Sequence, residues 1–262
     1  MSFDVTRKSV FQLEVESFVH RLNIGWETSN LISGNVLSWN YLLKKDANSL
    51  YINALFSLLD ALGGIKNKTW SWSTVKLYYS LFYIFKTELY LDGIGLFRNV
   101  NNPKATLYEI DLRTPTYIFK KGTEANPNND HHRIFNVHES VYRNSDPLYS
   151  QTIDNEKIST WMRNQREIAN YKQIKFEDPI RNDLFIDFDF TELGKFELLN
   201  PKIYLDSTAI VAIPISKCIQ VRQKFSDLLL SQDTHELILS LCTIANVPED
   251  IQEILLGRVV IV

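Results

Sequence analysis

From Thr74 to Asp92 the chain runs nineteen residues without a glycine or proline, and at the centre stands Leu77-Tyr78-Tyr79-Ser80-Leu81-Phe82-Tyr83-Ile84-Phe85. A helix built on this run is apolar or aromatic on every side, so it must be packed all round. The run is about half the length that crosses a bilayer, and Lys86, Glu88 and Asp92 follow it. A buried helix at the centre of a helical bundle is the reading that remains, with Ser73 as cap and Gly93 as stop. Composition agrees: only 9 Gly and 8 Pro in 262 residues favour long regular elements over a turn-rich all-β fold. The aromatic load of 15 Phe, 12 Tyr and 5 Trp is accordingly assigned to core packing, not to a platform for stacking bases.

The rest of the chain arranges itself around that helix. Val10, Phe11, Val15, Phe18, Val19 and Leu22 recur at helical spacing, and Leu37, Tyr41 and Leu42 suggest a second helix that breaks at Lys44-Lys45-Asp46. Asp46 then caps a helix through Leu62, closed by Gly63-Gly64. From 94 to 130 the pattern turns mixed, with β-capable runs Thr106 to Leu112 and Thr116 to Phe119 read as a hairpin in an insertion. Helical periodicity returns at His131 to Arg143 and at Glu156 to Lys172, where Asp154 is the expected cap. Residues 175 to 204 read as extended. Ser216 to Leu230, Thr234 to Ala245 and Pro248 to Leu256 read as three helices, the second with an Asp233…Glu236 capping box. The expected class is mainly α, divided into an N-terminal helical extension (1–45), a helical core (46–175) with its insertion at about 94–130, and a C-terminal region (176–262).

Two segments carry a family resemblance. Trp72-Ser73-Thr74-Val75-Lys76-Leu77-Tyr78-Tyr79-Ser80-Leu81-Phe82 resembles the second helix of HEPN-superfamily domains, where a small residue precedes a Tyr-Tyr-small-x-Phe cluster and a glycine follows the helix, here Gly93 or Gly95. Met162-Arg163-Asn164-Gln165-Arg166-Glu167-Ile168-Ala169-Asn170-Tyr171 resembles the family's last core helix, which has an Arg-polar start and an Ala-His-x-Tyr or Ala-Asp-Tyr end. The resemblance implies an antiparallel four-helix core over about half of the chain, and leaves the extension, the insertion and the C-terminal third outside it. It also implies RNA as substrate or ligand, a toxin or antiphage-defence setting, and a homodimer or a partner defence protein. Active members pair an Arg with a His four to six residues later for metal-independent RNA cleavage, which leaves a 2′,3′-cyclic phosphate. The chemistry needs a group that exchanges protons near neutrality and a fixed positive charge on the phosphate.

The literal Arg-His spacing occurs at Arg133-Ile134-Phe135-Asn136-Val137-His138, in the third core helix instead of the last. At about 100° per residue Arg133 and His138 stand about 140° apart, and His138 shares an arc with Ile134, Val137 and Val141. His138 is therefore either a core histidine or a proton-transfer group. In the last helix Ile158, Trp161, Met162, Ile168 and Ala169 form an apolar stripe, while Arg163, Arg166 and Asn170 form a polar stripe opposite. The resemblance places Asn170 at the family's catalytic His position, and an amide can hold a phosphate but cannot exchange its protons at neutral pH. The candidate catalytic set is thus Arg163, Arg166 and Asn170 with Arg133 and His138, and His132 and Tyr171 are candidate RNA contacts. The competing reading of the arginine stripe is a solvated face with Glu167 paired to Arg163.

Several classes are excluded. A formal charge of −3, from 28 basic against 31 acidic residues, lacks the signature of a duplex-DNA binder. Cys218 and Cys242 form no Cys-x-x-Cys pair, and Asp130-His131-His132 has no second ligand cluster, so neither a disulfide framework nor a metal site is expected. No phosphate-cradling Gly-rich loop and no Gly-x-Ser-x-Gly turn occurs, and no cofactor is expected. Glu14 and Glu16 break the only apolar stretch near the start, which predicts a cytoplasmic protein without a signal peptide or membrane span.

Overall fold

The computed structural model describes residues 9–22, 30–31, 36–98, 107–113, 117–118, 120–121, 130–172, 183–185 and 206–261. Among them the chain is mainly α, as expected. The first half runs α1 (Val10–Leu22), β1 (Asn30–Leu31), α2 (Val36–Lys66), α3 (Trp70–Leu91), β2 (Ile94–Arg98), β3 (Leu107–Asp111), β4 (Tyr117–Ile118), β5 (Lys120–Lys121) and α4 (Asp130–Tyr142). The second runs β6 (Thr152–Ile153), β7 (Glu156–Lys157), α5 (Ile158–Glu167), a π turn (Ile168–Lys172), α6 (Asp206–Arg222), β8 (Leu228–Leu230), α7 (Gln232–Ile244), α8 (Glu249–Leu256) and β9 (Val259–Ile261). No helix among the described residues is long and apolar enough to cross a membrane. The chain divides into two compact units, Met1–Leu50 with Phe85–His138, and Tyr51–Ile84 with Glu139–Val262. α2, α3 and α4 each contribute residues to both.

The first unit is organised by an aromatic nucleus. Phe11 makes edge contacts with Trp39, Tyr90 and Phe97 at ring separations of 6.0, 6.4 and 6.0 Å. A Cβ at position 95 would stand 2.5 Å from Phe11 Cε1, so only glycine lets β2 approach this ring. Asp46 does not cap the helix that follows it. α2 runs straight through Asp46, whose buried carboxylate instead accepts the Val10 and Phe11 N–H groups at 3.2 and 3.0 Å, satisfying donors at the start of α1. Gly93, at φ +82°, turns α3 into β2. The hairpin forms between different strands than the sequence suggests: β3 pairs antiparallel with β2, from Ile94↔Asp111 to Arg98↔Leu107, and its other edge pairs with β5. β4 pairs with β1.

In the second unit α6 takes the role of the fully wrapped helix, being buried from Ala209 through Ile219. α3 is wrapped less completely than its sequence suggests, since Trp72 is 57% exposed and Tyr79, Phe82 and Tyr83 are half-buried. Ser80 donates to the Ala54 carbonyl at 3.0 Å and fixes α3 against α2. Gly63-Gly64 do not end α2. A Cβ on Gly64 would collide with the Ser73 and Thr69 hydroxyls, so this glycine serves a close approach to the start of α3. Ser73 is no cap either; α3 starts at Trp70, and the Ser73 hydroxyl donates back to the Thr69 carbonyl. The helix expected over 216–230 lies instead at 206–222, and Leu228–Leu230 pairs in parallel with Val259–Ile261. Ser231 caps α7, accepting the Thr234 N–H, in place of the expected Asp233. Arg222 donates to the carbonyls of Leu256, Phe225 and Arg258, closing the end of α8. Of residues 175–204 only Asp183–Phe185 is described, as a turn of 3₁₀ helix; the remainder of that expected extended segment lies outside the described residues.

Candidate functional site

The arginine stripe of α5 is positioned by a short hairpin. β6 and β7 are joined by Asp154 and Asn155, both in the left-handed region at φ +51° and +62°, as a two-residue hairpin turn requires. Asp154 is therefore not a helix cap; its carboxylate accepts the Trp161 indole N–H at 3.3 Å. Asn164 ties α5 to the same hairpin by donating to Glu156 at 2.8 Å. Ile158, Trp161 and Met162 are buried as their spacing predicts. Ile168, placed in the apolar stripe by the same spacing, is 41% exposed instead. The π turn from Ile168 to Lys172 inserts a residue into the helical repeat and rotates this last turn relative to α5.

On the opposite face Arg163 and Arg166 are half-buried and Asn170 is exposed. The Arg166 guanidinium lies over two rings of α3, 5.2 Å from the centre of Tyr78 and 5.7 Å from that of Tyr79. Its Nε is buried without a hydrogen-bond partner among the described residues. Burial pushes the Tyr78 phenol well above its ordinary range, against the pull of Arg166 and Arg163. Tyr78 is thus a neutral ring beneath a permanent cation. Tyr171 lies in the π turn.

The histidine side of the candidate set belongs to the first unit and is built differently. His138 is 0% exposed, its ring is stacked on Phe85 at 3.9 Å, and its Nε2 lies 2.8 Å from the Glu88 carboxylate, itself buried. Arg133, on another face of α4, is paired with Glu109 of β3 at 2.8 Å. The literal Arg-His spacing therefore sends its two side chains to two different carboxylates. His132 shares a 3.0 Å hydrogen bond with Asn136, one turn along.

Two buried pairs escape sequence reasoning. One is Glu88–His138; the other is Lys217, 0% exposed on α6, whose ammonium lies 2.7 Å from Asp146 and 2.7 Å from Gln220. The available signal is a charge inside an otherwise apolar helical run, because such a charge is found buried only with a partner. Burial pushes the Cys218 thiol up to about 12 and the Cys242 thiol up to about 11, which leaves neither as a nucleophile at neutral pH. Comparison of the chain with family models, with curated proteins and with solved structures returned no match.

Proposed function

We propose that this chain is a HEPN-like helical protein that binds single-stranded RNA through the α5 face and does not cut it. The observation that carries the reading is the state of Arg163 and Arg166. The two stand one turn apart, Arg166 is held over Tyr78 and Tyr79, and neither has a carboxylate partner among the described residues. A guanidinium held over rings as that of Arg166 is, with a second one turn before it, suits phosphate oxygens, and the exposed amide of Asn170 on the following turn can accept from or donate to a base edge.

Cleavage would need a proton-transfer group that reaches the 2′-hydroxyl. His138, with no exposed surface and both a carboxylate and a phenyl ring against it, supports a structural role, and Asn170 stands where active members of the resembled family carry histidine. An origin in a defence or toxin system, as the resemblance implies, belongs to the same proposal. Incubation with total RNA in EDTA, followed by detection of 2′,3′-cyclic phosphate ends, tests it: no new ends are expected. Fragments that disappear on His138→Ala, with the fold retained, would restore the endoribonuclease reading.

A second reading, an inert HEPN-like module that mediates protein–protein assembly, is favoured by the apolar side chains exposed on α7, with Leu237 at 51% and Ile244 at 52%.

A further inference from the structure

α7 is anchored by a narrow buried row, Ile238, Cys242 and Ala245. Beside that row, at about 100° per residue, Leu237, half-buried Leu241 and Ile244 fall within an arc of about 60°. The stripe has charge of opposite sign at its two ends. Asp233 and Glu236 are exposed at the N-terminal end. At the C-terminal end the Lys66 ammonium donates to the Ile244 carbonyl at 3.3 Å, and exposed Lys68 follows in the turn after α2.

We propose that this stripe is the contact face for a second copy of the chain, with the two α7 helices antiparallel about a two-fold axis. A two-fold contact is self-complementary, so each end of the stripe must suit the other end. Setting Leu237 against Ile244 of the second copy places Leu241 opposite Ser240, a small residue that lets the helices approach. The same register places Glu236 opposite Ala245 of the second copy, beside the Lys66 that holds the neighbouring carbonyl. A parallel arrangement would set acid against acid and lysine against lysine, which charge repulsion disfavours. A single helix face is smaller than the roughly 800 Å² per partner of a standard interface, so a weak, reversible dimer is expected. This surface lies on α7, away from the arginines of α5 in sequence and in role; its failure would leave RNA binding untouched.

Sedimentation equilibrium of the full chain, from about 5 to 500 µM, reads the assembly directly. The expected result is a monomer–dimer equilibrium that Leu237→Asp weakens at least tenfold without moving the melting temperature. Glu236→Lys and Lys66→Glu should each weaken it several-fold, and the double charge swap should recover most of the loss. Glu236→Lys changes an exposed side chain whose one hydrogen bond, from the Gln232 amide at 2.7 Å, lies on the surface of α7, which keeps the test valid should Lys66→Glu perturb the end of α7. A monomer at every concentration would overturn the proposal. So would a dimer indifferent to Leu237→Asp, or a swap that deepens the loss instead of repairing it.

Discussion

α4 carries an arginine and a histidine, α5 two arginines and a following asparagine, at helical spacing, and the fold uses them in opposite ways. On α4 the groups with acid–base or phosphate-binding chemistry are consumed internally: Arg133 by Glu109 and His138 by Glu88. On α5 Arg166 rests over two aromatic rings, and neither it nor Arg163 meets a carboxylate among the described residues. Residue identity and spacing are alike in kind. The neighbour that another element delivers is what separates a structural pair from an available one: β3 and α3 present acids to α4, and α3 presents tyrosines to α5.

The strongest way to break this contrast is His138→Ala. If the histidine serves the interior, its loss leaves Glu88 buried beside a cavity and should cost about 3–5 kcal/mol in a urea melt. Glu88→Gln, which keeps a hydrogen-bonding group of the same shape, should cost about 1–2 kcal/mol. A melt unchanged by His138→Ala would free the histidine for chemistry.

Lys217→Met applies the same logic within the second unit. It strands Asp146, although the Leu148 N–H still donates to that carboxylate at 3.0 Å, and a loss of about 3 kcal/mol is expected. An unchanged melting temperature would show that the pair is not a fixed part of the interior.

The interior also has a pH signature. Burial raises the Cys218 thiol from 9.0 to about 12, so its protonated form is favoured in the fold. The unfolded chain releases that proton first as pH rises. This contribution is therefore complete below about pH 9 and is lost progressively toward pH 12, amounting to about 1 kcal/mol by pH 10. Urea melts at pH 7, 8.5 and 10 should show a decline only above about 9, and Cys218→Ala should reduce it by about half, because the Cys242 thiol, also raised by burial, gives a loss of the same sign. The native thiol should resist aromatic disulfide reagents at pH 8.

Arg166→Ala marks the small end of the scale. It removes the guanidinium from over two rings and leaves no buried charge behind, so it should cost within about 1 kcal/mol of stability. A loss as large as that of His138→Ala would mean that α5 spends its arginines on the fold as α4 does.

Local patterns make several elements legible in the sequence. α1, α4, α7 and α8 lie close to where apolar spacing places them, and Ile158, Trp161 and Met162 are buried as their stripe implies. Each of the larger departures has a non-local cause. Asp46 and Gly64 look like helix boundaries, yet they answer to Phe11 and to Ser73 and Thr69, partners that spacing within one helix cannot reveal. Leu228-Leu229-Leu230 reads as helix because a short apolar run fits either period, and its strand partner lies about thirty residues on, at Val259–Ile261. The π turn that exposes Ile168 leaves no compositional mark. At the site, the alternation of apolar and basic residues on α5 is visible in the sequence. The burial of His138 is foreshadowed by its arc, but its acid is fifty residues away in the chain, at Glu88.

RNA affinity as a function of salt tests the central claim most directly. Fluorescence anisotropy of a labelled single-stranded RNA would be followed for wild type, the Arg163→Ala/Arg166→Ala double variant and Arg133→Ala. If the α5 arginines hold phosphates, the double variant should bind at least tenfold more weakly, and its slope of log affinity against log salt should shrink by about 1.4, or about 0.7 for each phosphate no longer neutralised. Arg133→Ala, already paired to Glu109, should match wild type in both. Equal affinity and slope for all three proteins, or a loss confined to Arg133→Ala, would contradict the account.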